Sequence, residues 1–427
     1  VSVMLAAAAM GLPSVKLDAP KALCISELET SAVAVERVAT GRVHGVFGPV
    51  VVEQCESGEM APLTVLEFVP VGSRNISTQW KQTVTELVDV VYTSADRVVA
   101  RSLTDKQIAA LPLQTEMIPV LKSPMTPLNP DSDTTGKLRE IRDKLAVHGP
   151  NPIIERMIGD ISTERITDVL DYLTGVTSGI ESRNSIHPDG KAAAEWYKRE
   201  FEKYGFTAEL EEFQDGYFPN VIATKKGVES PDTIVVVGAH LDSRGRERLS
   251  ATAAAPGAND DGSGSQALLQ LARVISEYDA DFKYTIVLGA WGGEEQGLVG
   301  SRAYAQKCKA RGDDILAMIQ ADMIAYRGNG EGIQCGFPNR YADEILTDLA
   351  MSILNEYTPE VETCFTSACC SDHQSFYEQG YSATQYFERC GGIIDPQYHN
   401  AGDVVERTGY DVEGELRSLT RGYAATA

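Results

Sequence analysis

The fold is decided by the stretch Tyr284-Thr-Ile-Val-Leu-Gly-Ala-Trp-Gly-Gly-Glu-Glu295, an apolar run that ends in two glycines and two adjacent carboxylates. An uncharged run of β-branched and aliphatic residues indicates a buried strand of a parallel sheet. Ligands of open α/β sheets bind at the carboxyl ends of the strands, so we expect Glu294 and Glu295 at that edge. Adjacent side chains point in different directions, so one could bind a metal while the other transfers a proton. A solvated acidic turn is the alternative.

Strands and helices alternate on both sides of this stretch. The predicted strands are 233–239, 284–291, 315–321 and 382–387, and the predicted helices are 266–278, 303–309, 341–356 and 412–423. Such alternation is typical of βαβ units. We therefore predict an α/β domain over residues 151–427, with a mostly parallel, mixed sheet that has helices on both faces.

The region before this domain has a different pattern. Residues 13–122 contain short strand-like runs and helical patches at 80–87 and 105–111, which predict a small additional α+β region. We interpret it as a pro-domain, as in a zymogen, with a second binding module as the alternative. Residues 123–150 begin with a segment rich in Pro, Ser, Thr and Asp, which predicts a linker.

Three features of the chain favour a secreted protein. Residues 1–12 are apolar and rich in small residues, which is typical of the end of a signal peptide, although a short strand or helix is the alternative. Eight cysteines without a CxxC pair suit an oxidised chain, in which 105 pairings are open. Asn75 begins an Asn-Ile-Ser glycosylation sequon. We expect an extracellular location or a vacuolar type of compartment.

The net charge of −23 limits the partners of the chain. A surface this acidic repels phosphate and anionic lipid, so we expect nucleic acid and membrane surfaces to be poor partners. No apolar run approaches the ~20 residues that a membrane span needs. The sequence does not indicate an oligomeric state.

Further metal-binding side chains follow the predicted strands or lie in the loops between elements. They are His240 with Asp242, Asp260 with Asp261, Asp322 and His399, which join Glu294 and Glu295 at the same predicted edge. Imidazole and carboxylate donors without thiolates suit zinc. Two histidines and three carboxylates are too many for one tetrahedral ion with an open position. These five ligands can be divided between two metal ions if one of the carboxylates bridges the two ions.

This set is similar to that of the M28 zinc aminopeptidases, the family of the Aeromonas leucyl aminopeptidase and secreted fungal relatives. The resemblance runs from about residue 155 to the C-terminus and includes the segments Pro256–Gly264 and Cys370–His373. It implies two zinc ions per chain. In the implied arrangement one ion is bound by His240 and Asp322, the other by Glu295 and His399, and Asp260 bridges them.

The resemblance also implies catalytic roles. Glu294 would accept a proton from the attacking water and return it to the leaving amine. Asp242 would orient the ring of His240 through its second nitrogen. The peptide bond between Asp260 and Asp261 would be cis.

Peptide or protein N-termini are the substrates that the resemblance implies. Met323, Ile394 and Tyr398 lie next to expected ligands in the sequence and could form the walls of a pocket for a Leu-like first residue. The alternative is that they belong to the core.

The resembled enzymes have a short cysteine pair beside the site. We therefore expect Cys364 to form a disulfide with Cys369 or Cys370, which are adjacent in the sequence. The sequence does not decide between these two partners.

Three other functions are compatible with the same fold. A glutaminyl cyclase uses one zinc, and the complete set of five ligands argues against it. A glutamate carboxypeptidase needs a basic pocket, for which Arg244, Arg246 and Arg248 are candidates. A non-catalytic, receptor-like ectodomain loses ligands, and none is lost here.

Overall fold

The computed structural model describes residues 14–16, 23–27, 43–47, 50–54, 63–68, 77–94, 96–101, 103–112, 115–120, 125–129, 132–368 and 370–427. The chain divides into two compact units. The first comprises residues 1–127 and 378–380, and the second comprises residues 128–377 and 381–427. Residues 1–12, the strand-like run 32–38, Asn75 and Cys369 lie outside the described residues.

The first unit is an α+β structure, which confirms the fold class predicted for this region. One antiparallel sheet has the order β1-β2-β4-β3, and another has the order β6-β7-β5-β8. The elements are β1 (Ser14–Lys16), β2 (Leu23–Glu27), β3 (Val43–Phe47), β4 (Val50–Gln54), β5 (Leu63–Phe68), α1 (Ser77–Leu87), β6 (Val90–Thr93), β7 (Arg97–Arg101), α2 (Asp105–Ala110) and β8 (Thr115–Pro119).

One face of helix α1 holds the core of this unit together. Trp80 and Val84 lie one helical turn apart and are buried against Leu66 and Phe68 of β5. The indole nitrogen of Trp80 donates a hydrogen bond of 2.8 Å to the hydroxyl of Thr115. The buried polar end of the ring is therefore satisfied.

The linker predicted for residues 123–150 is wrong over its second half, which forms helix α3 (Asp133–His148) of the second unit. The side chain of Ser132 caps this helix, and Leu138 is buried. An ion pair of 2.8 Å joins Lys137 to Asp133 one turn away. The Ser, Thr and Asp residues that suggested a linker thus supply the helix start.

The second unit contains a six-stranded sheet of order β16-β13-β11-β12-β10-β9. The first four of these strands pair in parallel, and β10 and β9 add antiparallel pairs at one edge. The predicted mixed, mostly parallel sheet is therefore confirmed. The strands of this sheet are β9 (Thr207–Glu211), β10 (Asn220–Lys225), β11 (Ser230–His240), β12 (Tyr284–Trp291), β13 (Asp314–Ala321) and β16 (Ala383–Tyr386). Two further strands, β14 (Gln334–Pro338) and β15 (Glu362–Thr366), pair in parallel in a separate two-stranded sheet.

Helices cover both faces of this sheet because successive side chains of its strands point to opposite sides. Val236 and Met318 lie in one apolar cluster with residues of α8 and α10, whereas Val237 and Ile319 lie in the other cluster with residues of α5, α6, α7 and α11. The helices are α4 (Pro152–Gly159), α5 (Thr163–Leu173), α6 (Pro188–Lys203), α7 (Gly262–Glu277), α8 (Val299–Arg311), α9 (Glu344–Tyr357), α10 (His373–Tyr377) and α11 (Arg417–Thr426), which a π-helical turn (Val412–Leu416) precedes. No helix among the described residues has the length and apolar character to cross a bilayer.

The disulfide expected for Cys364 is wrong. Cys364 bonds to Cys390, with 5.7 Å between their Cα atoms. The partner is distant in sequence because a parallel bridge between Thr366 and Gly391 brings the two segments side by side. Cys370 also takes part in a disulfide.

Close packing of α7 on the sheet gives a test of this fold. A Cβ atom on Gly264 would lie 2.4 Å from the carbonyl oxygen of Ala321 and 2.5 Å from the carboxylate of Asp261. We expect Gly264→Ala to lower the free energy of unfolding by about 1–3 kcal/mol because backbone must move. Urea unfolding followed by far-UV circular dichroism measures it.

Gly136 of helix α3 is the matched control. Nothing lies within 4 Å of a Cβ atom placed there, so Gly136→Ala should stabilise the protein by up to about 1 kcal/mol through helix propensity. If both variants shift the urea midpoint in the same direction, the close approach of α7 to β13 is wrong.

Candidate metal centre

The parallel register of three strands brings the metal-binding side chains to one edge of the sheet. His240 ends β11 opposite Trp291 of β12, and Gly238 lies opposite Gln320 of β13. The loop after β12 therefore places Glu294 and Glu295 at the edge where β11 and β13 end. Asp322 directly follows β13.

Asp260 lies between two histidines and faces each with one oxygen. Its Oδ1 atom is 3.2 Å from Nε2 of His240, and its Oδ2 atom is 3.2 Å from Nε2 of His399. Asp322 completes the first group, with Oδ1 3.5 Å from His240 Nε2. Glu295 completes the second, with Oε2 3.2 Å from His399 Nε2. All five side chains are buried.

Asp261 also lies near the first group, but its carboxylate accepts hydrogen bonds from backbone N–H groups. Its carboxylate is within 4.8 Å of the donor atoms of His240 and Asp322. It accepts hydrogen bonds from the backbone N–H groups of His240, Gly264 and Met323. Asp261 therefore caps α7 and ties together the ends of β11 and β13. The peptide bond between Asp260 and Asp261 is cis, as the resemblance implies.

The five residues fit a site for two divalent cations. Nε2 of His240, Oδ2 of Asp260 and Oε1 of Glu295 are buried and make no hydrogen bond of acceptable geometry, although imidazole and carboxylate atoms lie 3.2 Å from the first two. A buried polar atom in this condition costs about 1–3 kcal/mol, which a bound cation would offset. Because the donors are imidazole and carboxylate, they suit a zinc-like ion.

The site has a surplus of acidic groups. Burial lowers the pKa of His240, but the carboxylates of Asp322 and Glu294 outweigh this effect and raise the pKa well above its usual value. Burial raises the pKa of Glu294 well above normal, although His240 opposes this, and burial also raises the pKa of Asp372 to about 7. Bound cations would shift these carboxyl pKa values downward.

The role of Asp242 is broader than the sequence suggested. Nδ1 of His240 lies 3.0 Å from the backbone carbonyl oxygen of Asp242 and 3.5 Å from its carboxylate. The carboxylate accepts hydrogen bonds from the N–H groups of Glu294 and Glu295, each at 3.2 Å, and from the hydroxyl of Ser185 at 2.9 Å. Asp242 therefore positions the histidine and both glutamates.

Two buried charged residues that the sequence did not reveal hold the segment containing Asp260. Asp403 accepts hydrogen bonds from the backbone N–H groups of Asn259 and Asp260. Burial raises the pKa of Asp403 to about 7, although Arg407 opposes this. Arg183 donates to the carbonyl oxygens of Leu241 and Gly257, among others. Neither residue belongs to a recognisable motif, so only the fold identifies it.

Two of the three arginines after Asp242 are engaged with Glu295. Nε of Arg244 lies 2.7 Å from Oε2 of Glu295, and Arg248 donates a hydrogen bond of 2.5 Å to the backbone oxygen of Glu295. Arg246 is exposed. The buried arginines therefore bind the acidic edge of the site itself.

The three residues predicted to line a pocket are placed as follows. Met323 is buried directly after Asp322, and Ile394 is half-buried. The ring of Tyr398 stacks on that of His399 with 3.5 Å between centroids. Their role as pocket walls stays a prediction.

Comparisons with known proteins indicate the family of the chain. Residues 220–423 match the model of a family described as Peptidase family M28. A "Leucine aminopeptidase 1" of Neurospora crassa is 31% identical over 275 residues, which are 60% of this chain and 67% of the relative. A "Probable zinc metalloprotease" of Pyrenophora tritici-repentis is 33% identical over 198 residues, but that match spans only 41% of its length.

A solved structure shares the fold. LapB from Legionella pneumophila superimposes with a TM-score of 0.63 at 20% identity, covering 86% of this chain and 98% of that chain. The fold and the arrangement of side chains are those of a metallopeptidase-type α/β domain. The chain belongs to peptidase family M28.

Metal binding gives a direct test of the site. Because folded protein with these five side chains should bind zinc and unfolded chain should not, zinc at 100 times its Kd should stabilise the protein by about 2.7 kcal/mol. Asp260→Asn should lose most of this effect, since it removes the charge next to both histidines. Thermal unfolding with and without zinc measures the difference.

Asp215→Asn is the matched control, because Asp215 is exposed. This variant should keep the full stabilisation by zinc. Equal stabilisation of the two variants would contradict a role for Asp260 in binding.

Proposed function

We propose that the chain is a zinc-dependent aminopeptidase that removes N-terminal residues, with a preference for Leu-like ones, from peptides or proteins. One observation supports the proposal: Asp260 contacts both His240 and His399, so the buried residues around each histidine share it, and Glu294 directly precedes Glu295 without belonging to either group. Membership of family M28 and the similarity to a leucine aminopeptidase support it.

Two zinc ions have a complete set of ligands in this proposal. His240 and Asp322 would hold one ion, Glu295 and His399 the other, and Asp260 would contact both. When bound, zinc supplies Lewis acidity, which lowers the pKa of water and polarises the scissile carbonyl group.

Glu294 is suited to proton transfer. Glu294 is half-buried, whereas Glu295 is 3% exposed, and the backbone N–H of Glu294 is fixed by the carboxylate of Asp242. Glu294 accepts a proton as the oxygen of water bonds to the scissile carbonyl carbon. It returns that proton to the amine nitrogen as the carbon–nitrogen bond breaks.

The buried arginines of the site argue against a free carboxylate as the group that the substrate presents. Arg244 and Arg248 already contact Glu295, which weakens the carboxypeptidase alternative. The complete ligand set argues against a one-zinc cyclase and against a non-catalytic ectodomain.

We expect Glu294→Gln to lower kcat by about 10²–10⁴-fold, because the amide cannot accept the proton. Zinc content should stay that of the wild type. Elemental analysis of the purified variant, together with steady-state kinetics, measures both quantities.

Glu295→Gln is the comparison variant and should lose zinc. If Glu294→Gln loses zinc and Glu295→Gln keeps it, the roles of the two glutamates are reversed.

The substrate class is tested with leucine p-nitroanilide and its N-acetylated form. The full chain should hydrolyse the first and not the second, because blocking removes the basic amine. A chelator should stop the reaction, and added zinc should restore it. Equal turnover of the blocked substrate would rule out an aminopeptidase.

Other features of the protein remain predictions from the sequence. They are secretion, N-glycosylation at Asn75, and a pro-domain role for residues 13–122. The boundary between the two compact units, at residues 127 and 128, lies within the segment where removal of a pro-domain would require cleavage.

A further inference from the structure

Arg244 places a permanent positive charge against two of the three residues in the second ligand group. Its side chain is 2% exposed, and its Nε atom lies 2.7 Å from Oε2 of Glu295. Its Nη2 atom contacts Nδ1 of His399. An arginine stays protonated at every relevant pH, so the positive charge of the Arg244 guanidinium group is not lost by deprotonation.

The contact with His399 has a chemical consequence. A guanidinium group can only donate hydrogen bonds, so Nδ1 of His399 must accept. In the neutral ring the hydrogen atom is then on Nε2, the nitrogen that faces Asp260 and Glu295 at 3.2 Å. A nitrogen atom that carries a hydrogen cannot bind a metal ion. The tautomer that Arg244 favours is thus the one that cannot ligate through Nε2.

The first ligand group has the opposite surroundings. Nε2 of His240 faces a carboxylate oxygen of Asp260 at 3.2 Å and one of Asp322 at 3.5 Å. Nδ1 of His240 lies 3.0 Å from the carbonyl oxygen of Asp242, which can only accept. Nδ1 therefore keeps its hydrogen, and Nε2 is the nitrogen that exchanges its hydrogen for a cation.

We propose that Arg244 competes with the second cation for Glu295 and His399, so that the two ions bind with unequal affinity. The ion at His240, Asp260 and Asp322 binds tightly, and the ion at Asp260, Glu295 and His399 binds weakly and exchanges. This inference rests on the proposed two-zinc site. Occupancy of the second metal position then depends on the free zinc concentration. Arg244 is the positioning residue that sets the zinc concentration at which this position fills.

The test is a zinc titration of the full chain after removal of metal by a chelator. Isothermal titration calorimetry with a competing chelator should resolve two steps in the wild type, the second at least about tenfold weaker. Arg244→Met, which keeps the length of the stem and removes the charge, should tighten the second step by about 10–100-fold and leave the first unchanged.

Arg246→Met is the matched control, since Arg246 is exposed two residues away. It should titrate as the wild type does. Arg244→Lys serves as a second variant if Arg244→Met folds poorly. It keeps a positive charge but lacks the planar group that contacts both side chains, so its second Kd should lie between those of the wild type and Arg244→Met.

A second measurement does not depend on metal. In ¹⁵N-histidine spectra of the stripped protein, Nδ1 of His399 should carry no hydrogen in the wild type, because it accepts from Arg244. His399→Gln assigns the resonance. A hydrogen on Nδ1 in the wild type would overturn the inference.

The titration separates the two proposals. Two zinc ions that bind with the same two Kd values in the wild type and Arg244→Met would overturn the competition and leave the metal centre intact. If neither protein binds zinc, the proposed metal centre is wrong and the competition with it.

Discussion

The parallel pairing of β11 with β12 and β13 is the constraint on which the site depends. Side chains from three separate segments meet because these strands end at one edge in a fixed register. A shift by one residue would turn His240 to the other face of the sheet. The apolar side chains on both faces set this register, since Val236 and Val237 belong to different clusters. The core therefore determines the geometry of the ligands.

A second constraint is the concentration of negative charge in a buried place. Donor atoms of Asp260 and Glu295 lie within 4.8 Å of each other, and Asp260 and Asp322 both lie within 3.5 Å of Nε2 of His240. Buried charges of like sign need cations or protons. The protein supplies Arg244 at one end of the site and His240 at the other. The two halves of the candidate site therefore differ in their charged neighbours.

Much of the backbone near the site is held by residues that do not touch the reacting groups. Asp242 binds the N–H groups of both glutamates, Asp261 joins the ends of two strands, and Asp403 holds the segment with Asp260. Each carboxylate replaces water as the partner of buried N–H groups. Such groups would otherwise remain unsatisfied in loops that leave the sheet. The loops can therefore be irregular and still place ligands accurately.

The sequence by itself determined the α/β fold and the likeness to family M28. Buried parallel strands are written as uninterrupted apolar runs, and the candidate ligands follow directly at their ends. Only the tertiary structure decided that Cys364 pairs with Cys390, that residues 133–148 are helical within the second unit, that Asp242 also holds both glutamates, and that Arg183 and Asp403 support the site. These features depend on contacts between segments far apart in the chain. A local sequence pattern indicates which residues are apolar and which can bind a metal. It does not indicate which backbone group, distant in the sequence, each side chain contacts.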